Sequence, residues 1–174
     1  IIGDFFNPGE REEYMSIIKE NHLDPYVILH GRQAGQMLDL LFELCDFGIG
    51  SLGRHRSGIT NIKTLKNREY AARGIPFIYS EIDEDFENMP YIMKIPANEE
   101  AVDIKQILNF YNQLHITPLE IRNSIRHLSW NNQMKKVLDE MQKKDKINPN
   151  NNNIANFATL YTNKFIPNKE KWPH

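Results

Sequence analysis

The sequence predicts an α/β fold: a mostly parallel sheet with helices on both faces, followed by further helices. Three observations carry that prediction. Short apolar runs alternate with helically periodic segments from Ile1 to Ile95. The runs contain few polar positions, as do strands buried on both faces. The segments between them are long enough for the right-handed crossovers that join parallel strands. Ligands of such sheets bind at the carboxyl ends of the strands.

The elements follow in order. Ile1-Ile2 reads as the end of a buried strand. Asn7 suits an N-cap, Pro8 the first helical position and Glu10 the third. Tyr14, Ile17, Ile18 and Asn21 mark one face of that helix. Residues 26–29 form a short buried strand and residues 31–35 a loop. Met37, Leu38, Leu41, Leu44 and Cys45 lie at helical spacing. Residues 47–50 are the next strand, and a polar loop follows over 51–61. A helix starts near Thr64 and stops at Gly74, the residue type that closes helices. Residues 75–79 and 91–95 are the remaining strands.

After Pro96 the pattern is helical. Ile104, Ile107, Leu108 and Tyr111 form one stripe. Thr117-Pro118-Leu119-Glu120 is a capping box with proline at its first position. Ser129 caps a helix with the stripe Met134, Val137, Leu138 and Met141. Residues 143–146 and the asparagine-rich 148–153 break the pattern as a linker would. The tail beyond carries Phe157, Leu160, Tyr161, Phe165, Ile166 and Trp172, which need a surface to pack on. The expected organisation is a ligand-binding domain over 1–145, with linker and tail over 146–174.

The bulk numbers narrow the function classes. At 174 residues the chain suits one compact domain. With 40% hydrophobic and 25% charged residues it is ordinary globular material. A formal net charge of −2 supplies no basic field, so nucleic acid is not an expected partner. The single cysteine, Cys45, sits in an apolar pattern and reads as a buried free thiol in a reducing compartment. No apolar run spans a bilayer and no signal peptide is visible. The chain opens on Ile1-Ile2-Gly3-Asp4 without an initiator Met. That opening is expected of a fragment, a processed chain or the ordered part of something longer.

Chemistry concentrates between Cys45 and Tyr79. In Ser51-Leu52-Gly53-Arg54-His55-Arg56-Ser57-Gly58 the glycines allow close backbone approach. Arg54 and Arg56 offer forked donors to a diphosphate. The helix near Thr64 points free amides at the same place. Lys66 sits in its first turn, where the helix dipole disfavours a cation unless an anion is near. The alternative is a solvated basic loop. Glu69, one turn in, can accept from a ribose diol; the alternative is an ion pair with Lys66 or Arg73. His55 can stabilise a leaving phosphate or be merely exposed. The other histidines, His22, His30, His115, His127 and His174, have no ligand-like spacing, so no metal site is expected. Neither a Walker loop nor a Gly-x-Gly-x-x-Gly fingerprint occurs, and there is no Gly-x-Ser-x-Gly elbow.

The order Ile-Ile-Gly-Asp, Val-Ile-Leu-His-Gly, a helix ending in Cys-Asp, Gly-Ile-Gly-Ser-Leu-Gly, and Leu-Lys-x-Arg-Glu-Tyr-x-Ala-x-Gly-Ile-Pro-Phe-Ile resembles bacterial glycosyltransferases of family 4. The resemblance covers about residues 1–141 and is strongest over 51–79. It implies the Rossmann-like, C-terminal, nucleotide-sugar-binding domain of a GT-B fold, lacking its first strand and helix. It also implies transfer of a sugar, with retention, from a nucleotide-diphosphate donor to a glycan or lipid-linked acceptor, as in cell-surface polysaccharide synthesis. No metal or other cofactor is implied. The implied donor site comprises Gly31, Arg32 and Gln33 for the base and Glu69 for the ribose. Leu65 and Lys66 match the helix start facing the diphosphate, and Arg56 and Lys66 are assigned to stabilise its departure. His55, Ser57, Gly58 and Thr64 are expected in the same donor site, with the loop from Ser57 to Thr64 as the candidate for sugar recognition. The implied partner is an N-terminal acceptor domain. The implied location is cytoplasmic, with the inner membrane face as an option for the full protein. Two departures stand out. A glutamate common in the family eight positions before the ribose carboxylate is Asn61 here. The family's basic pair for the diphosphate lies upstream of the Ile-Ile-Gly-Asp strand, outside this chain. The rival readings are a GT-B nucleotide-sugar epimerase and a non-catalytic receiver-like module. The receiver needs an acidic cluster that Asp4 and Asp46 do not make.

Overall fold

The computed structural model describes residues 1–147, with side chains through 143. The chain divides into two compact units, Ile1–Ile49 and Gly50–His174. Three short strands, β1 (Gly48–Ile49), β2 (Phe77–Tyr79) and β3 (Ile92–Lys94), form an open sheet in the order β1-β2-β3. β2 and β3 pair in parallel, with Phe77 opposite Ile92 and Tyr79 opposite Lys94. With six α-helices among the described residues, the class is mixed α/β, compatible with a Rossmann-like arrangement.

The first unit carries α1 (Pro8–Glu20) and α2 (Gly35–Glu43). α1 begins as its sequence dictates: Asn7 caps it by accepting from the Glu10 amide at 2.9 Å, and Pro8 fills the first turn. The two strands expected at 1–2 and 26–29 do not form as regular strands. Their backbones do run side by side: Ile1 donates to the Ile28 carbonyl, His30 to Ile1, and Gly3 to Gly31. Their side chains are not buried. Ile1, Tyr26 and Ile28 are exposed, and Ile18 is the one buried hydrophobic side chain of this unit. The ladder is too short, and its unit too thinly covered, to bury an apolar strand. Cys45 likewise corrects the sequence reading. Its thiol is exposed and donates to the Leu41 carbonyl at 3.2 Å, because α2 buries none of its residues.

The second unit holds the main core. β2 is buried along its whole length, as a strand covered on both faces must be. Phe77 is its centre. Its ring lies 5.4 Å from Phe86, edge-on, and 5.6 Å from Tyr70, with Tyr79 and Tyr91 close by. Ile62, Ala71, Ile121 and Ile125 complete the cluster. α3 (Leu65–Arg73) packs on α5 (Pro118–Ser124). Thr64 caps α3 through the Asn67 amide, and Gly74 closes it at φ 76°. A Cβ at Gly74 would stand 2.6 Å from the Pro118 carbonyl oxygen, so a side chain there is excluded twice over. Gly50 is needed for a different reason: a Cβ would lie 2.7 Å from the Ile78 carbonyl, which accepts the Gly50 amide.

α4 (Ile104–Asn112) turns only Ile107 fully inward. α5 shows both halves of its capping box at Thr117 and Glu120. α6 (Trp130–Ile147) continues through 143–146, where the sequence suggested a break. Three of the four residues there are lysines, good helix formers, and the helix continues despite their charge. The expected linker from 148 and the apolar tail lie outside the described residues. No helix among the described residues is long and apolar enough to cross a membrane.

Candidate functional site

The carboxyl edge of β2 carries a dense set of polar contacts. Topology sends the chain leaving β1, the start of α3 and the chain leaving β2 to this one edge. The first and last are laced together: Ser80 donates to the Ser51 carbonyl, Ile82 to Thr60, and Ile62 to Ile82. Asn61 bridges to Ile82 in parallel register.

The chain leaving β2, Ser80-Glu81-Ile82-Asp83-Glu84-Asp85-Phe86-Glu87, has five carboxylates in seven residues from Glu81. Such a run is normally a solvated surface. Here Glu81 and Asp83 are buried, each with a specific partner set. Asp83 accepts from Asn67 Nδ2 at 3.1 Å and from both terminal nitrogens of Arg68 at 3.2 and 3.3 Å. Arg68 also pairs with Asp85 and stacks on Phe86. The start of α3 is thereby pinned to the acidic segment. Glu87 accepts from Tyr79 at 2.9 Å and from Lys94 at 2.5 Å. Burial, and then the bond to Glu87, push the Tyr79 hydroxyl well above its ordinary value.

Glu81 organises the loop above it. Its Oε1 accepts the backbone amides of Arg54 at 2.6 Å and His55 at 3.2 Å, the first two residues of a short 3₁₀ turn over Arg54–Ser57. Burial pushes the Glu81 carboxyl up, but hydrogen bonds from backbone amides outweigh it and hold it below the ordinary carboxylate value. Two successive amides converging on an oxygen make an anion-binding concavity. This one is filled from within by Glu81. Its second oxygen, Oε2, and His55 Nδ1 are buried without a hydrogen-bond partner among the described residues. Gly58 ends the turn at φ 69°.

The side chains of this turn point to a second carboxylate. His55 Nε2 lies 2.9 Å from Glu99 Oε1, Arg56 Nε donates to the same oxygen at 2.9 Å, and Arg56 Nη2 pairs with Glu99 Oε2. Hydrogen bonds from Arg56 and then His55 hold the Glu99 carboxyl below its ordinary value.

The expected donor residues thus fall into groups. His55 and Arg56 converge on Glu99, with Ser57 and Gly58 in the same turn. Thr64, Leu65 and Lys66 form the start of α3, where Leu65 and Lys66 are exposed. Glu69 lies one turn on and pairs with Arg73 at 2.6 Å. Gly31, Arg32 and Gln33 belong to the first unit. There Gly31 has φ 64°, Arg32 pairs with Asp4 at 3.6 Å, and Gln33 Nε2 donates to the His30 carbonyl. No group of three potential metal ligands occurs among the described residues.

Sequence reasoning missed Glu81, Asp83, Arg68 and Glu99. For the first three a signal existed: a dense acidic run directly after a fully apolar strand, at the ligand edge of a parallel sheet. Glu99 had none, since its partners lie 43 and 44 positions away. No known protein family, curated protein or solved structure matches this chain.

Proposed function

We propose that this chain is the donor-binding domain of a retaining glycosyltransferase that uses a nucleotide-diphosphate sugar. The observation that carries the reading is the turn over Arg54–Ser57. It sits at the carboxyl edge of the sheet, braced from below by Glu81, and aims His55 and Arg56 at one anionic group. In this reading Arg56 and Lys66 neutralise the diphosphate as it leaves, which is electrostatic catalysis. Glu69 turns from Arg73 to the ribose hydroxyls. Acceptor binding belongs to a separate N-terminal domain, so the chain alone binds donor and transfers nothing.

Glu69→Ala tests the ribose assignment. A hydrogen bond to a charged group is worth about 1.5–3 kcal/mol, so nucleotide affinity in calorimetry should fall about 10- to 100-fold. Unchanged affinity would remove Glu69 from the site. The Glu69–Arg73 pair is half exposed, so its loss should leave folding nearly unaffected. Product analysis with a labelled donor, on the full two-domain protein, separates a transferase from an epimerase.

A further inference from the structure

The contact between Glu99 and the 3₁₀ turn has the form of a receptor with its ligand. Three donors, His55 Nε2, Arg56 Nε and Arg56 Nη2, meet the two oxygens of one carboxylate. A guanidinium fork of this kind fits phosphate as well as it fits carboxylate. The backbone of the receptor side is braced: the amides of Arg54 and His55 bond to a carboxylate that is 2% exposed, and the His55 side chain is largely covered, while the Arg56 side chain reaches into solvent at 68% exposed. The occupant is exposed too. Glu99 is 62% exposed and lies in the irregular segment between β3 and α4, where the neighbouring Glu100 amide bonds to the Asn98 side chain within that segment. Exposed ion pairs are weak in water, and a phosphate group brings more charge to the same donors.

We propose that His55 and Arg56 form an oxyanion site whose resting occupant is Glu99, and that a diphosphate displaces it. The inference rests on the donor-site reading, and it names the subsite and its internal competitor. Binding then releases the segment around Glu99 from the turn, so the segment reports whether the site is filled.

The test is titration of the full chain with inorganic pyrophosphate, followed by calorimetry. Glu99→Gln keeps the shape of the side chain and removes its charge. It should bind pyrophosphate about threefold to fivefold more tightly than the natural chain, the range set by an exposed pair. Glu100→Gln removes the same charge one residue along and should change affinity less than twofold. Arg56→Gln should abolish binding, and the double variant Glu99→Gln/Arg56→Gln should show no gain. An unchanged affinity in Glu99→Gln, or a gain that survives in the Arg56→Gln background, overturns the proposal. A nucleotide sugar that binds the natural chain and Glu99→Gln equally well would sink this inference and leave the donor reading standing. Pyrophosphate binding with the expected gain, but no nucleotide-sugar binding, would do the reverse.

Discussion

Replacing Arg68 by alanine is expected to destabilise the chain by about 3–5 kcal/mol, the cost of leaving a buried charge without its partner. The orphaned group is Asp83, which is fully buried and would keep only the Asn67 amide. Asp85 would also lose its cation, and Phe86 the guanidinium over its ring. Asp83→Asn made in the Arg68→Ala background should restore part of the loss, since the amide has no charge to bury. Urea unfolding of the four chains of that cycle measures it. A loss below about 1 kcal/mol for Arg68→Ala would mean that the pair behaves as a solvent-screened surface contact. The consequence for function follows from position. Arg68 ties the start of α3 to the segment leaving β2, so its loss loosens the carboxyl edge of β2 as well as the fold.

Phe77→Ala should be as damaging, at about 3–5 kcal/mol, for an apolar reason. The Phe77 ring is fully buried and touches Tyr70, Tyr79, Phe86 and Tyr91. Truncation leaves a cavity walled by aromatic rings, Tyr70 on α3 and Tyr79 on β2 among them, that collapse poorly. Phe77→Leu, which refills most of the volume, should recover more than half of that loss. If alanine and leucine cost the same, the rings around position 77 repack freely and the core is less ordered than its geometry states.

The fold class was legible because its signals are local. Thr64 and Gly74 bracket α3 by capping chemistry that depends on neighbouring residues alone. The same holds for Asn7 with Pro8, and for Thr117 with Glu120. β2 was legible because an unbroken apolar run of that length bounded by glycine has few other uses. The strands at 1–2 and 26–29 failed because apolar content predicts burial only where enough structure gathers to cover it. The first unit buries a single hydrophobic side chain. Cys45 failed for the same reason.

The site divides along the same line. The basic turn, with Arg56 and His55 near the sheet edge, was visible as a glycine-flanked cluster after a strand. What the turn touches was not. Glu81 and Glu99 reach it from 26 to 44 positions away, and pairing at such separations leaves no periodic trace. The acidic run from Glu81 to Glu87 resembles a solvated surface in composition, and only the fold reveals that two of its members are interior.

The most direct measurement of the central claim is thermal unfolding of the chain in the presence of UDP-, GDP- and ADP-sugars at millimolar concentration. A donor at about a hundredfold its Kd adds about 2.7 kcal/mol, which raises Tm by about 5–10 °C in a domain of this size. The account predicts that one nucleotide class produces such a rise, and that Arg56→Ala and Glu69→Ala each remove about half of it or more. No shift with any of the three, or a shift that both variants retain in full, would contradict it.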